Sequence, residues 1–366
     1  MTIIIDSDIA THPVARSGDV RHVTLSPHPS ATTAQVGRAL ASAAEISGFG
    51  MDLDETLDWC VDVGEWAPRV GEGRTAELWE LLAATAAIDV GAARILEPHL
   101  DALTILNQAD RSDLVRPEDT WGVFAAESPD HRLRAEESGA RWTLRGSKPW
   151  CSLASHLSRA LVTASLDDGR RALFAVDLRA DGVRAHDGPW VARGLTQVVS
   201  APVDFDDAPA VPIGPPGWYL ERPGFAWGGM SVAACWWGAA SGIARRLLTP
   251  AQSADADQLA LVHLGRVDAS LWTARAVLAE AAELLDDGRS TRVGERLLSE
   301  RVRAVVVDAA ALTLTESAEA LGPSPLTRDE QFARSSADLH LYIQQHHGLR
   351  DVARIGREAA RQRAAW

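Results

Sequence analysis

The spacing of the apolar residues changes twice along this 366-residue chain, and these two changes constrain its fold more than any other feature. Between residues 75 and 108 apolar side chains recur at three- and four-residue steps, as in a helix that packs on other helices. After Pro117 the step becomes two, which is typical of half-buried strands, and from about Gly228 the helical step returns. The order predicts an α+β multidomain protein with helical, β and helical parts.

The same pattern places the domains. We predict an extended lead-in over residues 1–30, an N-terminal helical domain over 31–118, a central β domain over 119–208 and a C-terminal helical bundle over 209–366. Thr32 or Thr33 can cap the first helix, and Gly91 or Pro98 can break the helical tract that follows. A turn is expected at Ser138-Gly139 and another at Gly146-Ser147.

Composition excludes several classes of protein. The formal net charge of −14 disfavours nucleic acid as a partner. No apolar run approaches the roughly 20 residues that cross a bilayer, and Asp6 and Asp8 stand where a signal peptide would carry basic residues. Three widely spaced cysteines predict neither a disulfide framework nor a zinc cluster. We therefore expect a soluble, cytoplasmic protein without a membrane partner.

Most short catalytic signatures are missing. The chain has no Walker loop, no GxGxxG after a strand, no HExxH and no GxSxG, so ATP hydrolysis, a Rossmann site and serine hydrolysis lose support. Asp52, Asp54, Glu55 and Asp58 are spaced like a metal cluster, but an exposed acidic first turn of a helix explains them better. We expect no metal.

One segment carries more information. Residues 141–154 read RWTLRGSKPWCSLA, an alternating strand followed by Lys148, the only lysine of the chain. This LxGxK pattern, the later VDFDDAPAVP with its Gly-rich loop, and the helical, β, helical order together resemble the acyl-CoA dehydrogenase family over about residues 35–360. The resemblance implies an N-terminal helical domain, a central β-sheet or barrel domain and a C-terminal helical bundle. It also implies FAD as cofactor. The apolar faces of the C-terminal helices predict a homo-oligomer, either a dimer or a tetramer.

The resemblance implies two flavin-contacting segments. Trp150, Cys151 and Ser152 match a family tripeptide that lies along the flavin ring, where an aromatic face shields the ring and a hydroxyl stabilises negative charge on it. The second segment matches Trp121, Val123 and Phe124. Phe124 stands where threonine is common, and the following Gly-Ser-rich turn has become Ser128-Pro129-Asp130. Ordinary packing is the alternative explanation for both segments.

The glutamate base of the family has no counterpart at either of its usual positions. One falls in residues 341–348, LYIQQHHG, where His346 and His347 stand nearest to it. The other matches Gly228 and Gly229, and Gly229 also replaces an arginine that holds coenzyme A in the family. A neutral imidazole can accept a proton or donate a hydrogen bond to an oxygen-bearing flavin, whereas a plain helix end also favours histidine.

Three functions follow from these residues. The first is α,β-dehydrogenation of a small-molecule acyl thioester with hydride transfer to flavin, His346 replacing the base, and an unspecified electron acceptor. The second is a flavin-dependent monooxygenase on the same fold, which needs no α-proton base. The third is a non-catalytic family member that has lost its base. Family frequency places the first ahead by a narrow margin.

Overall fold

The computed structural model describes residues 23–26, 33–139, 141–222, 224–253, 255–288 and 292–362. Most of the lead-in predicted over residues 1–30 lies outside the described residues, and so does Thr32. Within the short described piece, Leu25 is buried and its backbone N–H donates to Glu80 Oε1 at 2.8 Å.

The described residues of the N-terminal part form four α-helices. They are α1 (Ala34–Glu45), α2 (Leu53–Trp66), α3 (Thr75–Ile88) and α4 (Val90–Gln108). Thr33 caps α1 by accepting from the Val36 N–H, and Asp52 caps α2 in the same way, which confirms the acidic first turn. The predicted break falls at Asp89, which caps α4, while Pro98 lies inside α4 without ending it.

The central part is a seven-stranded sheet that closes on itself. Its strands are β1 (Trp121–Phe124), β2 (Leu133–Ser138), β3 (Arg141–Ser152), β4 (Arg159–Ser165), β5 (Arg171–Asp177), β6 (Val183–Ala185) and β7 (Ser200–Ile213). Neighbours follow the order β1-β4-β2-β3-β7-β5, β6 pairs with β7, and an additional β4–β5 pairing closes the ring. The predicted sheet or barrel is therefore confirmed.

The turn predicted at Gly146-Ser147 is wrong, because β3 continues through it to Ser152. Gly146 instead marks a β-bulge, where the register with β7 shifts and φ is +120°. A Cβ there would lie 2.1 Å from the Arg132 carbonyl oxygen, so only glycine fits. Glycine signals both turns and bulges, and the local sequence did not distinguish them.

The C-terminal part is a helical bundle built around one central helix. Its helices are α5 (Trp218–Glu221), α6 (Gly224–Ala244), α7 (Leu248–Ala251), α8 (Gln258–Asp286), α9 (Arg292–Leu321), α10 (Pro323–Arg328), α11 (Glu330–Tyr342) and α12 (Leu349–Gln362). Helix α6 packs against α3, α4, α8, α9 and α11, and α8 packs against α9 as the sequence predicts. Gly238 allows α6 to touch α3, since a Cβ there would lie 2.0 Å from the Ala83 carbonyl oxygen. None of the described helices is both long and apolar enough to cross a membrane.

Candidate functional site

The side chain of Trp150, near the end of β3, is exposed on the surface of the sheet. Its backbone is left-handed, with φ at +59°, and the β3–β7 register shifts between Lys148 and Cys151. The shift leaves the Trp150 side chain 60% exposed, while Cys151 is buried with its thiol 3.3 Å from the Lys148 carbonyl oxygen. An indole held outside the core in this backbone conformation offers a flat apolar surface to a ligand.

Ser152 links the end of β3 to helix α4. Its hydroxyl lies 2.7 Å from the Ser200 hydroxyl on β7, and the Arg94 guanidinium of α4 donates to Ser152 Oγ at 3.0 Å. Ser152 therefore sits beside a fixed positive charge, one residue beyond Cys151 and two beyond Trp150. Such a charge stabilises a negatively charged group bound at this hydroxyl.

Lys148 fixes the position of this part of β3. Its side chain is 2% exposed, and Nζ donates to Glu127 Oε1 at 2.9 Å and to Thr163 Oγ1 at 2.8 Å. Burial lowers the pKa of Lys148, and the hydrogen bond and charge of Glu127 act in the opposite direction. Lys148 thus joins β3 to β4 and to the segment that follows β1.

The β1 residues of the predicted second segment face mainly inward. Trp121 and Phe124 are 1% and 2% exposed, and Val123 is half-buried. The Trp121 backbone N–H donates to His99 Nδ1 at 3.2 Å, whereas its buried indole Nε1 has no hydrogen-bond partner among the described residues. Flavin contact by this strand stays a prediction, and the burial restricts it to the backbone and to Val123.

The Ser128-Pro129-Asp130 turn opens into a polar cavity of about 650 Å³ at the β2–β4 side of the sheet. Its basic lining comprises His131, Arg132, Arg134 and Arg171. Neither Trp150 nor Ser152 lines it, but Glu127 bonds Lys148 at 2.9 Å and His131 lies 3.0 Å from the Ser147 hydroxyl, so the turn adjoins β3 just before the predicted flavin tripeptide.

The two histidines occupy different environments. The His346 side chain is 6% exposed, and its Nδ1 accepts the Gly348 backbone N–H at 3.2 Å. His347 is 72% exposed and lies 3.8 Å from Asp351. Burial lowers the pKa of His346, so its ring is neutral, and an Nδ1 that accepts a hydrogen bond leaves the proton on Nε2. That Nε2 is buried without a hydrogen-bond partner in the described part of the chain, 3.6 Å from Asp351 Oδ2.

Arg303 of α9 connects the His346 segment to α6. Its guanidinium donates to the Gly229 carbonyl oxygen at 2.7 Å and to the Gln345 carbonyl oxygen at 3.1 Å. The same group lies 4.6 Å from the centroid of the Trp236 ring. The nearest side-chain groups at Gly229 are Ser299 and Arg303, whereas at Gly228 a Cβ would lie 3.3 Å from Asp101 Oδ1, so a carboxyl group of α4 does lie beside the second predicted base position.

Two aromatic rings continue this connection to Ser152. Trp236 meets Tyr342 edge to face, with ring centroids 6.2 Å apart. Arg94 lies 5.8 Å from the centroid of the Tyr342 ring and bonds Ser152. The predicted flavin tripeptide and the histidine segment, remote in sequence, thus belong to one continuous set of contacts.

Two carboxyl groups on α4 lie next to these contacts. Glu97 is 8% exposed and Asp101 follows it one turn later. Burial raises the pKa of Glu97 to about 8, with Asp101 acting in the same direction, while Arg94 and Arg303 lower it. A sequence signal for this set exists, because Arg94, Glu97 and Asp101 are charged residues that recur at steps of three and four along the mainly buried helix α4.

No family model matches the chain, and no curated protein matches it. Solved structures do. Methanesulfinate monooxygenase MsuC from Pseudomonas fluorescens is 19% identical with a TM-score of 0.74, over 90% of this chain and 97% of that one. FMN-bound TdsC from Paenibacillus sp. A11-2, a dibenzothiophene monooxygenase, is 17% identical with a TM-score of 0.74, over 87% and 96%. A nitrososynthase from Micromonospora carbonacea var. africana is 17% identical with a TM-score of 0.73, over 88% and 93%.

The chain has the acyl-CoA dehydrogenase fold. At these identities the likeness establishes the fold alone. In this chain the end of β3 meets α4 through the contact between Ser152 and Arg94. The contacts of Arg94 with Tyr342 and of Arg303 with Trp236 join α4, α6, α9 and α11.

Proposed function

We propose that this chain is a flavin-dependent monooxygenase on the acyl-CoA dehydrogenase fold. The observation that carries the proposal is the hydrogen bond from the Gly348 N–H to His346 Nδ1. It occupies the one free acceptor of the neutral ring and leaves Nε2 as a donor. A histidine held in this way is suited to donating a hydrogen bond to an oxygen atom and is poorly suited to removing a proton from carbon.

The residues at the end of β3 fit a flavin. Trp150 offers an exposed indole face, and Ser152 offers a hydroxyl beside the Arg94 guanidinium. When bound and reduced, a flavin supplies the electrons with which O2 is activated. The chain's own contribution is to cover one face of the ring and to place positive charge near its edge. MsuC and TdsC are named as monooxygenases and TdsC binds FMN, which supports the same reading.

Dehydrogenation of an acyl thioester is less well supported by the geometry. That reaction needs an anionic base next to the flavin. Gly229 lies beside Arg303 and Ser299, His346 has its acceptor occupied, and burial raises the pKa of Glu97 and so keeps its carboxyl neutral. These three positions lack the free lone pair or negative charge that the base requires. The remaining candidate is Asp101, whose Oδ1 lies 3.3 Å from the position of a Cβ at Gly228; Arg222 is 3.7 Å away, and burial raises the pKa of Asp101. Asp101→Asn therefore belongs beside His346→Ala in the test of dehydrogenation.

Anaerobic spectroscopy separates the two reactions. The purified protein is loaded with FMN and, in parallel, with FAD, and is mixed with butanoyl- and octanoyl-coenzyme A without reductant. Without oxygen we expect no bleaching with the thioesters and complete bleaching when NADH and an external flavin reductase are added. When ¹⁸O₂ is then admitted together with an oxidisable substrate, we expect one ¹⁸O atom in the product and the other in water. Bleaching by a thioester alone would establish dehydrogenation, and loss of that bleaching in His346→Ala, with His347→Ala as control, would identify the base.

We also infer a homo-oligomer from exposed apolar side chains on α8. Leu259, Leu261 and Val262 are 63%, 49% and 42% exposed, an apolar surface that a second copy can cover. Light scattering should give a dimer or a tetramer, and Leu261→Glu should dissociate it. A monomeric native protein would contradict this inference. The cytoplasmic location stays a prediction.

A further inference from the structure

Three buried polar atoms lie around Arg303, and each of them can donate a hydrogen bond. They are Trp236 Nε1, Tyr342 Oη and His346 Nε2, and none has a hydrogen-bond partner within the described residues. Their residues come from α6, from α11 and from the segment after it, and Trp236 and Tyr342 are in ring contact. Buried donors without partners reduce stability, so their convergence on one place calls for an acceptor-bearing ligand.

Two guanidinium groups next to these donors have no salt bridge. Arg94 bonds a hydroxyl and Arg303 bonds two carbonyl oxygens, and among the described residues neither lies within 4.0 Å of a carboxylate oxygen. Both are half-buried. A partly desolvated guanidinium without a counter-ion attracts an oxyanion, with which it can form paired hydrogen bonds.

The nearby carboxyl groups of Glu97, Asp101 and Asp351 are either neutral or paired with an arginine. Burial raises the pKa of Glu97, which makes it a neutral O–H donor. Asp101 has Arg222 within 3.7 Å, and Asp351 is hydrogen-bonded to Arg354. Asp351 Oδ2 nevertheless lies 3.6 Å from His346 Nε2, and the charge of Asp308 also acts on this ring, so the positive charge that lacks a carboxylate partner is on the side of Arg94 and Arg303.

We propose that Arg94, Trp236, Arg303, Tyr342 and His346 form an oxyanion pocket that binds the acidic group of the substrate, a carboxylate or a sulfur oxyacid. The pocket adjoins Ser152 through Arg94 and so adjoins the expected flavin. This inference rests on the proposed monooxygenase and adds the substrate class to it. An acyl thioester carries no charge at its reacting end and would leave the two guanidinium groups unpaired.

Calorimetry on the full-length, flavin-loaded protein tests the pocket. The probes are butanoate and ethanesulfinate, with butanamide as the neutral analogue and n-butylamine as the cationic one. We expect at least one of the two oxyanions to bind at least about tenfold more tightly than the neutral analogue, because it gains charge-assisted hydrogen bonds. Which of the two binds more tightly identifies the acid class. Equal binding of all four probes, or preference for the amine, would overturn the proposal.

Two conservative variants remove single donors without removing a ring. Trp236→Phe and Tyr342→Phe should each weaken oxyanion binding about 3- to 10-fold, since each deletes one hydrogen bond. Trp236→Phe should not lower the melting temperature through lost hydrogen bonding, because its Nε1 has no partner among the described residues. The Tyr342 hydroxyl lies next to the Cys235 thiol, so Tyr342→Phe is judged by the oxyanion affinity alone. The matched control is Trp59→Phe, whose Nε1 donates to the Ala39 carbonyl oxygen at 3.1 Å. It should lower the melting temperature and leave the oxyanion affinity unchanged.

Charge variants complete the test. Arg303→Met should weaken oxyanion binding by about 10- to 100-fold and Arg303→Lys by less, whereas Arg266→Met, on the exposed side of α8, should have no effect. Unchanged affinity in Arg303→Met and in Tyr342→Phe would refute the pocket. If flavin binds and activates O2 while oxyanions do not bind, only the pocket fails. If flavin does not bind, the proposed function fails instead.

Discussion

The Arg94 guanidinium donates a hydrogen bond of 3.0 Å to the Ser152 hydroxyl, across 58 residues of sequence. This contact joins the polar side of α4 to the end of β3. It places a positive charge one hydroxyl away from the expected edge of the flavin, where a reduced ring carries negative charge. The proposed chemistry depends on this juxtaposition.

Replacement of Ser152 tests that contact. Ser152→Ala removes the acceptor of Arg94 and the expected partner of the flavin, so we expect the flavin Kd to rise about tenfold, as for one charge-assisted hydrogen bond. Fluorescence titration with FMN and FAD measures it. Ser200→Ala is the matched control, because it removes the neighbouring hydroxyl and leaves the Arg94 contact in place. An equal loss of affinity in both variants would count against a specific role for Ser152.

Protonation of His99 makes the free energy of unfolding depend on pH. Burial lowers its pKa to about 4, and Arg69 adds to the effect, whereas the ordinary value is 6.5. Between those two values the unfolded chain takes up a proton that the folded chain excludes, so the free energy of unfolding falls as the pH drops from 6.5 to 4, by about 3 kcal/mol. Urea unfolding at pH 7 and 4.5 measures this change. In His99→Gln, whose amide oxygen can accept the Trp121 N–H, the drop should be smaller than in the native protein, and an identical drop would exclude His99 as its source.

Glu97, two residues away, has the opposite pH dependence. Burial raises its pKa, so the folded chain keeps a proton that the unfolded chain releases above about pH 4.5. The free energy of unfolding therefore falls as the pH rises from 4.5 towards 8. Glu97→Gln should be more stable than the native protein at pH 7.5, by on the order of 2 kcal/mol, with a smaller difference at pH 4.5.

The control for Glu97 is a glutamate that the fold already pairs. Glu77 accepts from Arg74 at 2.7 Å and from Thr33 at 2.6 Å, so Glu77→Gln should lower stability at pH 7.5. Thermal unfolding of the two variants at both pH values gives the comparison. A Glu97→Gln protein that loses stability at pH 7.5 would show that the carboxylate is satisfied in the fold.

Local patterns predicted the architecture because burial repeats every 3.6 residues in helices and every two in strands. The cap at Thr33 and the acidic first turn of α2 followed from residue type, because a hydroxyl or carboxylate oxygen accepts the free N–H groups of a helix start. The bulge at Gly146 and the left-handed backbone of Trp150 did not follow, since they are set by pairing with β7. These two backbone features determine that the Trp150 side chain is exposed and the Cys151 side chain is buried. The exposure of Trp150 could therefore not be predicted from the sequence.

The contacts that connect Ser152 to His346 could not be predicted from local sequence patterns. Arg94 and Arg303 are 209 positions apart and meet Tyr342 and Trp236 only when α4, α6, α9 and α11 pack together. The histidine pair was found in sequence, but a helix end gives no rule for which ring turns inward. The Gly348 N–H and the burial of His346 distinguish the two.

The most direct test of the account is flavin binding by Trp150→Ala beside Trp272→Ala. These indoles are 60% and 62% exposed, so neither substitution should change the melting temperature by more than about 2 °C. The native protein should bind one flavin per chain. Trp150→Ala should weaken that binding at least about tenfold while Trp272→Ala leaves it unchanged. No flavin binding by the native protein, or equal affinity in both variants, would contradict the central claim that the indole at the end of β3 covers the flavin ring.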